Sequence, residues 1–298
     1  MVRLAIMIFW FACVTWPASA RAVAWPDALG RSVEVAAQPQ RIVSLVPSVT
    51  EILYALGVED RLVGVTRFCT YPPEAAGKAQ VGDYGDPNLE AVAALDPDLV
   101  ILAADAANPA LLSRIEGLGV AAYVVYPKGI RETIATIRQL GQLVGAPQAG
   151  EKAALQLDNA LERIRSAVRG RARPRVVFCI MTQPLVVAGP GTLIDDLIRL
   201  AGGRNMVPAG PNRYPTWGKE SLLLADPDIM IVSSHPGKLE PAALFADLPE
   251  LRAVRNHQVV SIEPDWVSRP GPRLAQGAAA LAEAFGRVEV NPAADDRP

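Results

Sequence analysis

The sequence predicts an α/β protein: two similar α/β lobes with mainly parallel sheets, joined by one long α-helix, with a ligand cleft between the lobes. Three observations predict it. Short β-branched, apolar runs alternate with amphipathic segments along the chain, the pattern of strand–helix–strand units. One signature, a helix, an Asp-Pro-Asp turn and a buried strand, occurs twice, as NLEAVAALDPDLVI at 88–101 and ESLLLADPDIMIV at 220–232. Between these copies, 151–169 runs without Pro or Gly and carries an apolar stripe.

The opening segment 1–20 reads as an export signal. Arg3 precedes the apolar run 4–14, Pro17 breaks it, and Ala18-Ser19-Ala20 offers a cleavage site. The run is short of the ~20 apolar residues that span a bilayer. Cys13 follows bulky Trp10 and Phe11, which does not suit lipid attachment. After cleavage, no insertion into a membrane is expected.

The first lobe, 21–147, opens its sheet with RIVSLVPS at 41–48, a strand stopped by Pro47. Ser48 or Thr50 is placed to cap the helix SVTEILYALG, which Gly57 ends. RLVGVT at 61–66 is a short strand. The first Asp-Pro-Asp copy follows, then the helix–strand pair LLSRIEGLGVAAYVVYP at 111–127. The second lobe, 172–290, repeats this plan. PRVVFCIM at 174–181 is a strand, GTLIDDLIRLA at 191–201 a helix, and the second Asp-Pro-Asp copy follows. EILYALG at 51–57 also matches DLIRLAG at 196–202.

Between the lobes, 129–144 forms one amphipathic helix and Pro147 punctuates. The bridge, 148–171, is a second helix with Leu155, Leu157, Leu161, Ile164 and Val168 as its stripe. About twenty residues at 1.5 Å rise give roughly 30 Å, enough to cross from lobe to lobe and stiff enough to keep their relative motion small. Residues 291–298 read as a disordered tail.

Composition excludes several functions. Half of the 298 residues are hydrophobic and a fifth charged, so the chain buries a core. The net charge of −2 comes without a basic block, which argues against nucleic-acid binding. With His235 and His257 as the only histidines, a zinc enzyme lacks ligands. His235 reads as a loop residue and His257 as a solvated turn before an edge strand. Nothing matches GxSxG, a P-loop, HExxH or CxxC, and Cys69 lacks a histidine base nearby. Cys69 and Cys179, in different lobes, are expected to stay unpaired. The chain reads as a binding module rather than a catalyst.

Aromatic residues gather on loops that follow strands. Phe68 and Tyr71 lie in RFCTYPPEA, Tyr84 in VGDYGDPN, Tyr214 and Trp217 in NRYPTWGKE, and Trp266 in PDWVSRPGPR. Ligands of α/β lobes bind at such loops, beyond the carboxyl ends of the strands. Any one of these aromatics suits loop packing. Four such loops in two lobes suit a shared, flat, partly apolar ligand.

The segments RIVSLVPSVTEIL, YPPEA, NLEAVAALDPDLVI, ESLLLADPDIMIV and DWVSRPGPR resemble the substrate-binding proteins of ABC importers with a rigid helical linker, over about 41–286. YPPEA and the DWVSRPGPR segment are similar to the cobalamin-binding branch. The resemblance implies a corrinoid between the lobes, delivered by a monomeric carrier to a permease dimer. It implies no resident cofactor or metal, because the corrinoid is cargo. It places pocket positions on Phe68, Tyr84, Val186, Tyr214, Asp265, Trp266 and Arg269. Tyr84 and Tyr214 stand where tryptophan is the family pattern, Val186 at an aromatic position and Ser268 at an acidic one. Asp265 and Arg269 are the groups expected to bond corrin amides. Permease docking falls on Glu90 and Glu220, which also suit helix N-terminal carboxylates.

Two alternatives stay open at this level. The same fold binds haem, which wants an axial Tyr or His, or a ferric siderophore, which wants several arginines. A secreted metal-dependent enzyme is the reading from another class.

Overall fold

The computed structural model describes residues 22–234 and 240–289. The export segment 1–20, His235 and the tail 291–298 lie outside the described residues.

An antiparallel hairpin, β1 (Ala22–Pro26) and β2 (Ser32–Ala36), opens the described chain. The sequence analysis did not anticipate it. Its turn is held by Asp27, whose carboxylate accepts from the Leu29 and Arg31 backbone N–H groups. Its alternation buries Val33 and Val35.

The first sheet follows. It comprises β3 (Ile42–Ser44), α1 (Pro47–Ala55), β4 (Leu62–Val65), β5 (Ala79–Gln80), α2 (Leu89–Ala94), β6 (Leu99–Ala103), α3 (Pro109–Glu116) and β7 (Ala121–Val125). The strand order is β5-β4-β3-β6-β7, all parallel. The chain winds one way from β3 and the other way from β6, so a topological switch point lies between them. The opening hairpin docks on β7: Ala28 N–H donates to the Val124 carbonyl, and the Tyr123 hydroxyl to the Pro26 carbonyl.

The expected cap of α1 is corrected. Neither Ser48 nor Thr50 caps the helix; Pro47 stands in its first turn after Val46. At the first helical position proline gives up only an N–H that has no partner within the helix, and its φ suits the first turn. The Thr50 hydroxyl bonds Ser44 Oγ instead.

Next come α4 (Ile130–Leu143) and α5 (Pro147–Ala167), paired antiparallel. Glycines let them approach: a Cβ on Gly141 would lie 2.6 Å from the Gly150 Cα. The expected stripe of α5 is partly corrected. Leu157 and Leu161 are buried with Ala153 and Ala154, while Leu155 is 44% exposed. Two residues turn a helix by about 200°, so Leu155 and Leu157 cannot share a face. The helix also begins at Pro147 and ends at Ala167, inside the expected end of the bridge.

The second sheet comprises β8 (Arg175–Thr182), β9 (Leu185–Val187), α6 (Leu193–Leu200), β10 (Arg204–Asn205), α7 (Lys219–Ala225), β11 (Ile229–Ser233), α8 (Arg252–Arg255), β12 (Val259–Ile262), α9 (Pro264–Ser268) and α10 (Leu274–Gly286). Strands β10-β8-β11-β12 are parallel, and β9 folds back antiparallel on β8. Exposed His257 sits at positive φ just before edge strand β12.

The repeated Asp-Pro-Asp turn does the same work in both halves. Asp96 and Asp226 each adopt positive φ, +44° and +33°. Asp98 accepts from the Gln40 and Arg41 backbone N–H groups at 2.6 and 3.1 Å, and Asp228 from Arg175 N–H at 2.8 Å. Each turn thereby fastens the start of the sheet's central strand, β3 or β8. The Arg41 and Arg175 guanidinium groups return to the Leu95 and Ala225 carbonyls.

One continuous core joins the two sheets through α4, α5, α6 and α10. Helix α5 packs on α4 and on α6 and α10. The outer faces of the two sheets carry separate clusters. Cys69 and Cys179 are both free and buried, in different halves.

Candidate functional site

The carboxyl ends of the first sheet's strands face loops of the second lobe across a cleft of about 620 Å³. After β3 come Val46, Pro47 and Ser48, at the switch point. Phe68 follows β4, Asp105 follows β6, and Tyr126, Pro127 and Lys128 follow β7. The facing wall is Leu193, Arg213 and Tyr214, and Asp265, Ser268, Arg269 and Pro270 lie at α9. Five residues selected from the sequence meet here: Phe68, Tyr84, Tyr214, Asp265 and Arg269.

Phe68 and Tyr214 are each 43% exposed and present their rings to the cleft. The Arg67 guanidinium lies 5.0 Å from the Phe68 ring and pairs with Asp83 at 2.7 Å. The Tyr84 hydroxyl donates to Asp105 Oδ1 at 2.6 Å. Burial, then this bond to a carboxylate, pushes the Tyr84 phenol far above its ordinary value. Burial also raises Tyr214; Arg213 pulls it down and Tyr126 pushes it up. Both phenols stay neutral, so these walls offer flat faces and hydroxyl groups.

Below the cleft the lobes are tied by charge. Arg269 pairs with Asp265 at 2.9 Å, and its guanidinium lies 3.5 Å from Glu51 Oε1. Glu51 receives a two-pronged bond from Arg273, 2.9 Å from Nε and 2.5 Å from Nη2. Arg273 also stacks 4.1 Å above the Tyr71 ring. Asp265 and Arg269 thus meet each other before they meet any ligand. A second tie joins Asp196 of α6, which accepts from Ile130 N–H at the start of α4.

Two of the expected positions are not among the residues that line the cleft. Trp266 does not line the cleft. Asp265 and Ser268 of α9 and Arg269, the extended residue that follows it, line the cleft, while Trp266 packs against the core. Val186 does not line it either, because it sits on β9 and bridges to Thr216.

Sequence reasoning missed Tyr126, Asp105, Lys128, Arg213, Glu51 and Arg273. Tyr126 and Lys128 follow β7 directly, so the rule that selected the other loops also covers them. Arg213 precedes a residue already selected. Glu51 carried no such signal, since it sits inside a helix with an apolar face.

Glu90 and Glu220 are exposed, each the second residue of its helix, α2 and α7. Each helix leads into its half's Asp-Pro-Asp turn, so the two carboxylates are equivalent under the repeat.

Two α/β lobes that close on an aromatic cleft define a solute-binding class of protein rather than a nucleotide or nucleic-acid fold. The chain belongs to the periplasmic binding protein family, whose model matches residues 42–266. It is 30% identical to the vitamin B12-binding protein of Pectobacterium carotovorum over 256 residues, 85% of this chain and 91% of that one. The solved periplasmic vitamin B12 binding protein of Vibrio cholerae superposes with a TM-score of 0.73 at 29% identity, covering 83% of this chain and 97% of that one. The apo periplasmic heme-binding protein of Roseiflexus sp. RS-1 gives 0.75 at 29% identity, with the same coverage.

Proposed function

We propose that this chain is a non-catalytic periplasmic carrier that captures a corrinoid, cobalamin, between its lobes and delivers it to an inner-membrane ABC importer. The observation that carries this reading is the aromatic cleft. Phe68 and Tyr84 stand on one wall and Tyr214 on the other, at strand ends where a flat ligand is sandwiched. The vitamin B12-binding relatives, aligned over most of their length, support the same ligand. The corrinoid is cargo, and no resident cofactor is required.

The rest of the reading follows from this role. Residues 1–20 direct export and are removed. Residues 21–147 and 172–290 are the lobes, and 148–171 is the rigid bridge. The carrier acts as a monomer and meets a permease dimer through Glu90 and Glu220.

A specific observation keeps haem as the second reading: haem-binding proteins of the same fold are equally similar in structure. Calorimetric titration of the leaderless chain with cobalamin and with haem separates the two. Cobalamin is expected to bind at micromolar affinity or better, ~8 kcal/mol or more, and more tightly than haem. Equal or tighter haem binding with a shifted Soret band overturns the corrinoid reading.

A further inference from the structure

Five ionisable side chains other than tyrosine line the cleft: Asp105, Lys128, Arg213, Asp265 and Arg269. They do not balance. Asp265 and Arg269 neutralise each other at 2.9 Å. Asp105 accepts from the Tyr84 hydroxyl. Lys128 and Arg213 remain, one from each lobe, and neither meets a carboxylate within ion-pair distance among the described residues. The Lys128 ammonium lies 5.3 Å from the Tyr126 ring centroid. Arg213 donates from Nη1 to the Gly191 carbonyl at 3.1 Å and keeps most of its five N–H groups for another acceptor. Two cations thus face one anion in a cleft whose remaining lining carries no net charge.

An excess of cations along an open cleft attracts an anionic ligand group. Corrin amide side chains are neutral and do not supply one. A complete corrinoid carries a single anionic group on its periphery, the phosphodiester of its nucleotide loop. Haem carries two propionates. The shared chemistry is a ligand-borne anion.

We propose that Lys128 and Arg213 form an anion clamp across the mouth of the cleft, and that it holds the phosphodiester of a complete corrinoid. This rests on the corrinoid reading above and adds a specificity to it. The carrier favours corrinoids with an intact nucleotide loop over those that lack it. Arg213, with its planar fork, takes two phosphate oxygens, and Lys128 acts as a point charge from the opposite lobe.

The test is a titration of the leaderless protein with cyanocobalamin, with dicyanocobinamide, which lacks the phosphodiester, and with haem. It is run on the wild type, on the double variant Lys128→Gln with Arg213→Gln, and on Lys128→Arg with Arg213→Lys. The wild type is expected to bind cyanocobalamin about tenfold more tightly than the cobinamide. That gap is expected to narrow as salt is raised, to close to within about twofold in the glutamine variant, and to survive in the charge-keeping variant. Equal binding of the two corrinoids by the wild type overturns the clamp and leaves corrinoid capture standing. So does a gap that persists in the glutamine variant. Failure of both corrinoids to bind overturns the clamp together with the reading it rests on. Haem bound more tightly than either, and lost in the glutamine variant, overturns the phosphodiester assignment in favour of propionates.

Discussion

Glu51, in the first helix of the first lobe, and Arg273, 222 positions later in the second, form a two-pronged ion pair beneath the cleft. Glu51 is 3% exposed and Arg273 9%. The pair is the charged tie between the lobes, and Arg269 and Asp265 extend it to the ligand surface. Removing one partner leaves the other charge buried with only a 3.5 Å contact, Arg273 to Asp265 or Glu51 to Arg269. Glu51→Gln or Arg273→Met is therefore expected to destabilise the protein by about 3–5 kcal/mol. Glu51→Leu combined with Arg273→Met removes both charges and is expected to lose less than either single change. Denaturant midpoints of the three variants check this ordering.

In the proposed complex the cleft aromatics contribute through the faces that the ligand covers. Tyr84→Ala and Tyr214→Ala are each expected to weaken corrinoid binding about tenfold or more, from ~1–3 kcal/mol per stacked face. Far-ultraviolet circular dichroism of the variants should match the wild type. Tyr126→Ala belongs in the same series. Trp266, which faces the core, is expected to change stability before affinity when truncated. Unchanged affinity in both Tyr84→Ala and Tyr214→Ala would remove these rings from the site.

Alkali tests the phenols. Burial raises Tyr84 and Tyr214 above the ordinary value of 10.0, so the folded chain holds these protons more tightly than the unfolded one. The stability this confers is complete below about pH 10 and is lost as pH rises beyond it. Tyr84→Phe is expected to flatten part of that alkaline loss and to leave the slope between about pH 6 and 8 unchanged. Urea midpoints measured at neutral and alkaline pH decide it. Burial pushes the Cys179 thiol up to about 12, so native protein is expected to resist alkylation there at neutral pH.

In the proposed carrier, Glu90 and Glu220 are the groups that would meet the permease. Exposed ion pairs are weak singly, ~0.2–1 kcal/mol, but two of them fix register and speed encounter. Glu90→Arg combined with Glu220→Arg is expected to keep ligand affinity within about twofold and to abolish stimulation of the transporter's ATPase. The double change should exceed either single one. Wild-type stimulation by the double variant would reduce the two carboxylates to helix-end groups.

Much of this was legible in the chain because it is local. The period of apolar residues marks each strand and helix, and Pro and Gly mark their ends. The Asp-Pro-Asp turn recurs because each sheet needs the start of its central strand fastened, by Asp98 in one half and Asp228 in the other. That repeat made two lobes readable before any contact was known. The position of aromatic loops after strands marked Phe68, Tyr84 and Tyr214, because parallel sheets bind ligands at one end.

Tertiary structure alone decided which faces meet. Asp265 in the short helix α9 and Arg269 just beyond it line the cleft, while Trp266 between them packs on the core, although all three stand in one five-residue stretch. Leu155 faces solvent because Leu157 faces the core. Glu51 looked like a polar residue on a helix until Arg273 arrived from the other lobe. The period of a segment fixes which side chains share a face. The partner of that face is chosen by packing between segments hundreds of residues apart, and no local pattern encodes it.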